Sequence, residues 1–262
     1  MTSAPADSAA QLLGTTGPTT SSALLVCEHA SNVIPERYGD LGLSPEDMVS
    51  HAAWDPGALD LSLYLAEALD APLVACTVSR LVYDCNRPPE APSAMTAQSE
   101  RIEVPGNRDL RDADRAERVE TVYTPFCDAV TDVITTRRAR AQPTALITIH
   151  SFTPLYHGRE RPTEIGILHD TDTRLADAML SASLKLPHRL IERNQPYGPE
   201  DGVTHSLQIH GIAHELPNVM IEVRNDLLTT PEAVAQIGDE LLSLLRPALI
   251  HLGLEAQGSA HA

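Results

Sequence analysis

Five apolar runs, each too short for a helix, recur along the chain with helical periodicity between them. Ala23 to Cys27, Leu73 to Val78, Ala145 to Ile149, Ile165 to Leu168 and Val219 to Val223 read as strands covered on both faces, because polar residues scarcely alternate into them. Between Gly57 and Leu69, the residues Leu59, Leu63, Ala66 and Leu69 follow helical spacing until Pro72 stops the helix. Val119, Val122, Tyr123, Phe126, Val130, Val133 and Ile134 mark a long amphipathic helix, with Pro125 as a kink point. Thr171 to Leu186 and Pro231 to Leu252 read as two more helices. The alternation predicts a single-domain α/β fold, a mixed and mostly parallel sheet flanked by helices. Its ligand crevice should lie at the carboxyl ends of the strands.

The expected domain covers residues 23–255, preceded by a loose arm over 1–22 and followed by a tail over 256–262. Pro88 to Asp112, rich in Pro, Glu, Arg and Asp without a sustained period, reads as a long loop over the site. Acidic residues outnumber Lys and Arg by 36 to 19, a formal charge of −17, and the one compact basic run, Arg137, Arg138 and Arg140, closes a predicted helix. Nucleic acid is therefore not an expected partner. No apolar stretch is long enough to span a bilayer and no signal peptide is evident, so no membrane association is expected. The cysteines, Cys27, Cys76, Cys85 and Cys127, show no metal-binding spacing and suit reduced thiols in a cytoplasmic protein. A nucleotide-binding domain would need a glycine-rich loop after the first strand, where His29-Ala30-Ser31-Asn32 stands instead.

Five polar clusters interrupt these apolar surroundings: Glu28-His29, Trp54-Asp55, Arg80 with Asp84-Cys85-Asn86-Arg87, His150-Ser151 and Glu222-Val223-Arg224. Two histidines and a carboxylate suffice for a three-ligand zinc site with one open position, where water loses a proton near neutral pH. Glu222 lies inside Val219 to Val223, and a carboxylate inside a buried strand must be paired, coordinated or protonated. It serves either as a proton shuttle or in a salt bridge to Arg80, Arg87 or Arg224. Arg80, Asn86 and Arg87 offer planar donors suited to a carboxylate or an amide carbonyl, or else pair with Asp84 and Glu222 to hold their loop.

The strings CEHASNVIPE (27–36), AAWDPGA (52–58), SRLVYDCNRP (79–88), ITIHSF (147–152) and VMIEVRNDL (219–227) resemble, in order and spacing, the successive motifs of the N-formylglutamate amidohydrolase family. The resemblance runs from about residue 23 to the last helix. It implies a zinc-dependent exopeptidase-like fold, shared with the zinc carboxypeptidases and aspartoacylase. In that superfamily a His-x-x-Glu pair and a later His bind zinc, an Asn-Arg pair binds the substrate carboxylate and a late Glu is the general base. By resemblance, His29 and His150 are metal ligands, Asn86 and Arg87 anchor the substrate carboxylate, and Glu222 is the base.

Two departures stand out. Asn32, three residues after His29, is a poor zinc ligand, so the third donor must come from elsewhere: Asp55 is expected ahead of Glu28, which should point away from the His29 face. The Gly-Gly-x-Ile-Thr-Arg string of the deformylases is replaced by Asp201-Gly202-Val203-Thr204-His205, followed by His210-Gly211. That loss of arginine makes His205 an expected substrate contact, ahead of His210, and Arg224 is placed with it. His51, His157, His169, His188, His214 and His251 are left as surface or structural residues. The expected function is a metal-dependent hydrolase cleaving the amide of an N-acylated amino acid with a free carboxylate. Zinc or another divalent transition metal sits on His29, Asp55 and His150, and Arg80 steadies the oxyanion. The alternative is a catalytically silent protein that binds a small ligand on the same fold.

Overall fold

In the computed structural model, residues 8–17 and 19–255 are described, and the tail expected over 256–262 lies outside them. Seven strands form the central sheet: β1 (Ala10–Gly14), β2 (Ala23–Cys27), β3 (Pro72–Cys76), β4 (Ala145–Phe152), β5 (Ile165–Leu168), β6 (Ile191–Arg193) and β7 (Asn218–Arg224). Their order across the sheet is β1-β3-β2-β4-β7-β5-β6. β1 runs antiparallel to β3 and β5 antiparallel to β7, while the other neighbours are parallel. The expected single-domain α/β class, with a mixed and mostly parallel sheet, is the one observed.

Every residue of β2, β3, β4 and β5 is buried, as continuous apolar runs require when helices or loops cover both faces. On one face Leu25, Ile147, Ile149, Ile221 and Val223 pack against α1 (Ala58–Leu69), α4 (Arg174–Ala182) and α5 (Pro231–His251). Opposite, Leu24, Val26, Val74, Leu146 and Met220 meet Phe126, Val130 and Ile134 of α3 (Thr124–Ala139) and the segment around Val82 and Tyr83. Because side chains alternate along a strand, Leu146, Thr148 and His150 share this second face, as do Met220 and Glu222. β4 and β7 are in register with Glu222 beside His150. The apolar layer thus turns polar at its carboxyl end.

Several expectations need correction. The N-terminal stretch is not wholly a loose arm: Ala10 to Gly14 pair with Pro72 to Cys76 as an edge strand, which satisfies backbone groups on both. The helix expected around Pro125 is preceded by α2 (Asp112–Arg118) and joined to it by a wider π-type turn over Val119–Tyr123, which accommodates the proline's missing N–H in place of a sharp break. α4 begins three residues later than the expected start at Thr171, behind Asp172, which accepts from Arg174 N at 3.1 Å. The loop over 88–112 contains a small hairpin pairing Gln98–Ser99 with Ile102–Glu103. His150 is not strand-terminal, since β4 continues to Phe152.

Candidate metal centre and active site

Four segments deliver the polar groups to the carboxyl edge of the sheet. His29 stands two residues beyond the end of β2. Asp55 is fixed by a turn: its N–H donates to His29 O at 3.0 Å, and its own carbonyl accepts from Ala58 N at 3.1 Å. Gly57, at φ +80°, swings the chain into α1, and a side chain there would collide with Leu228. The loop after β3 carries Arg80 and Asp84, four residues apart, anchored by Ser79 Oγ donating to Ala53 O at 2.8 Å. β4 and β7 bring His150 and Glu222 side by side.

At the centre three atoms converge. His29 Nδ1 lies 3.1 Å from Asp55 Oδ2, His150 Nδ1 lies 3.0 Å from the same oxygen, and the two nitrogens are 3.2 Å apart. Donors on a tetrahedral zinc at about 2.0–2.1 Å stand roughly 3.3 Å from one another, so this triangle has the dimensions of one face of such a site. The outer nitrogens each face a carboxylate: His29 Nε2 is 2.7 Å from Asp84 Oδ1, and His150 Nε2 is 3.2 Å from Glu28 Oε2. With the proton of each neutral ring placed on its outer nitrogen, a lone pair remains on each Nδ1. Two lone pairs and a carboxylate oxygen then point at one another, an arrangement that only a cation or added protons can relieve. All three residues are buried.

The proton affinities of the metal-free protein answer to the same crowding. Burial and Arg80 oppose charge on His29, yet Asp84 and Asp55 outweigh them and its pKa is raised. His150 follows the same pattern: burial disfavours its charge, and Glu28 and Asp55 push its pKa well above the usual imidazole value. Burial works against the Asp55 and Asp84 carboxylates, but His29 and Arg80, joined at Asp55 by His150, hold both below the usual range. Glu222 behaves oppositely. Burial drives it up to about 7, more than His150 and His29 pull it down, and its Oε2 has no hydrogen-bond partner among the described residues. The salt bridge considered for Glu222 is absent among the described residues.

These groups open into a cavity of about 170 Å³ whose lining includes His29, Asp55, Arg80, Asn86, Arg87, His150 and Glu222. Arg80 donates to Asp55 Oδ1 at 3.2 Å and to Asp84 Oδ2 at 2.7 Å, so it ties the two carboxylates while facing the cavity. Asn86 gives its amide to Val203 O at 2.6 Å and accepts from Ser206 N at 2.9 Å. Arg87 donates to the carbonyls of Gly202 and Asn86 and has no carboxylate partner among the described residues. The segment that replaces the deformylase string thus serves as backbone support for Asn86 and Arg87. A wider groove of about 750 Å³ along α1 and Thr229–Pro231 carries Asp60, Glu67 and Asp70 but no converging histidines.

Two expected substrate contacts are not brought to this cavity. His205 stacks on Tyr123 and bonds its hydroxyl at 2.8 Å, while Arg224 is held by Asp226 at 2.8 Å and by the carbonyls of Arg161 and Pro162. His210 is buried with both ring nitrogens unpartnered among the described residues, and burial lowers its pKa to about 4. Asn32 donates to Met48 O at 3.0 Å, and Asp55 supplies the third donor in the cluster. Other lining residues went unnoticed in the sequence: Ser99, Phe152, Tyr156 and Tyr197, together with His51, set aside as structural. Glu100 links the rim, accepting from His157 N at 2.9 Å and pairing with His51 at 3.3 Å. Phe152 ends β4, and no local pattern marks the others, which lie outside the central sheet.

A single α/β domain that gathers two histidines, a carboxylate and a buried glutamate at the carboxyl edge of its sheet has the parts of a hydrolase. The profile of the N-formylglutamate amidohydrolase family matches residues 21–229, and the chain belongs to that family. The crystal structure of gene product Atu2144 from Agrobacterium tumefaciens is 50% identical, with a TM-score of 0.91 over 94% of this chain and 96% of that one. An N-formylglutamate amidohydrolase from Ralstonia eutropha JMP134 is 18% identical, with a TM-score of 0.72 over 94% of this chain and 99% of that one, a likeness of fold. No curated protein matches the chain.

Proposed function

We propose that this protein hydrolyses the amide bond of an N-acylated, N-formyl-like amino acid bearing a free carboxylate, using a divalent transition metal, with zinc as the first candidate. The observation that carries the reading is the triangle of His29 Nδ1, His150 Nδ1 and Asp55 Oδ2, three donor atoms 3.0–3.2 Å apart in a buried site. A bound ion would supply Lewis acidity and bring a water toward ionisation at neutral pH. Asp84 and Glu28 orient the two imidazoles from behind. Glu222 removes the proton of the attacking water and returns it to the leaving nitrogen, tasks suited to a carboxyl group poised near 7. Arg80 adds positive potential where the carbonyl oxygen gains charge. Arg87, with no carboxylate of its own among the described residues, receives that of the substrate, and Asn86 fixes the loop that presents it. Free, mostly buried thiols suit a reducing compartment such as the cytoplasm.

The direct test is metal analysis with a screen of N-formyl, N-acetyl and longer N-acyl amino acids, with and without added zinc. About one zinc per chain and zinc-dependent turnover are expected. Retained binding of acidic ligands without turnover at full zinc occupancy would favour the silent binding protein. In the same screen, Arg87→Ala should raise KM by about 10–100-fold with little change in kcat, the loss of one charge-assisted contact made equally in both states. A fall in kcat alone would remove Arg87 from carboxylate binding.

Metal binding should depend on pH in a definite direction. The raised pKa values of His29 and His150 mean that both rings hold protons more firmly than a free imidazole when the metal is absent, and any such protons must leave as it binds. Zinc affinity should therefore rise as pH rises through the titration of these rings, by up to ~10-fold per unit for each proton displaced. Calorimetry in buffers of different ionisation heat would register the released protons. A pH-independent affinity without proton release would contradict this.

A further inference from the structure

Three aromatic side chains, Phe152, Tyr156 and Tyr197, line the cavity. The Arg161 guanidinium carbon lies 4.2 Å from the ring centre of Tyr156, 4.7 Å from that of Tyr197 and 5.8 Å from that of Phe152. Such stacking favours a guanidinium. Yet Arg161 has no carboxylate partner, and its Nη1 is buried without a hydrogen bond, among the described residues. Arg161 is half-buried, and what its guanidinium touches is the wall of the cavity, the rings of Tyr156, Tyr197 and Phe152.

A second feature fixes the same wall. Gly166 of β5 pairs in register with Glu222 of β7. A Cβ on Gly166 would stand 1.9 Å from the carbonyl oxygen of Gln195, two residues before Tyr197. Only glycine lets the 195–197 segment lie directly on the strand beside Glu222. Gly166 sets the height of Tyr197 above the sheet, and Arg161 sets the plane of its ring.

We infer that Tyr197 is a catalytic residue whose hydroxyl donates a hydrogen bond to the oxygen of the amide under attack, and that Arg161 is a positioning residue holding the ring in place; this assignment rests on the hydrolase reading. The phenol keeps its proton for the purpose: burial and the Glu222 charge push its pKa up to about 12, against the opposing influence of Arg161. Glu222 and Tyr197 then divide the work, one moving protons and the other stabilising negative charge on oxygen.

The test is kinetic and spectroscopic. With zinc-saturated protein and N-formyl-L-glutamate or the best amide from the screen, Tyr197→Phe should lower kcat about 30–300-fold with KM within roughly threefold and zinc content unchanged. Arg161→Met should lower kcat by about tenfold or more, and Arg161→Lys should restore it to within about fivefold of wild type, a rescue that simple loss of packing would not give. A second measurement does not depend on turnover. In metal-free protein carrying 3-fluorotyrosine at its six tyrosines, the fluorine resonance deleted by Tyr197→Phe should move when N-formyl-L-glutamate is added, and should broaden or shift in Arg161→Met without ligand. If Tyr197→Phe keeps its kcat within about threefold in an enzyme whose wild type turns over, or if its resonance ignores the ligand, this assignment fails and the hydrolase reading stands. A zinc-loaded wild type inert toward every amide in the screen sinks both.

Discussion

Glu222→Gln should lower amide hydrolysis by about three orders of magnitude while zinc stays at one equivalent per chain. The size follows from what a general acid–base group contributes, roughly 10²–10⁴ in rate. The selectivity follows from position. Glu222 lines the cavity beside His150 but is outside the group of three donors, and its Oε2 has no partner that the substitution would orphan. Glutamine keeps the shape and removes only the ability to take up and release a proton. Rate measurement on zinc-saturated protein, with metal content determined on the same sample, separates this role from metal binding. Undiminished turnover would take Glu222 out of the mechanism, and loss of zinc would make it a ligand.

Asp55→Asn and Glu28→Gln should part company at the metal. Asp55 Oδ2 is within 3.1 Å of both Nδ1 atoms, so its amide replacement removes a donor and its charge together. Zinc content after dialysis should fall below about 0.1 per chain, and activity should fall with it. Glu28 stands 3.2 Å from the outer nitrogen of His150, away from the three converging donors. Glu28→Gln should still bind zinc, about 10–100-fold more weakly, the range for loss of a carboxylate behind a metal-bound histidine. Competition against a chelator of known affinity reads both. The reverse ranking would make Glu28 the ligand and Asp55 its support. A loss of folding in Asp55→Asn, visible by circular dichroism, would be traced to Arg80, which pairs with Asp55 and Asp84 and would keep only the latter.

The strands that frame the site could be read locally because burial on both faces leaves a signature in a few consecutive residues, as Ala23 to Cys27 and Val219 to Val223 show. The polar residues that break those runs, His29, His150 and Glu222, were visible for the same reason. Asp55 was expected as the third donor, and the structure places it against both histidines. His205 and Arg224 drew attention by their neighbourhood in the chain, yet Tyr123 and Asp226 engage them elsewhere. Tyr197 and Arg161 sit in segments without periodicity, and only the folded sheet brings them together.

Alternating strand and helix patterns are short-range properties of the chain, so the sequence alone determined the α/β class, the strand ends where chemistry gathers and the types of group available. Which atoms face one another was decided by the register between strands, through contacts spanning 26, 95 and 121 residues among His29, Asp55 and His150. A one-residue slip of β4 against β7 would turn His150 or Glu222 to the opposite face. The edge strand β1 makes the same point. Its residues carry no strong pattern of their own, and they become a strand because β3 offers an unpaired edge to bond to.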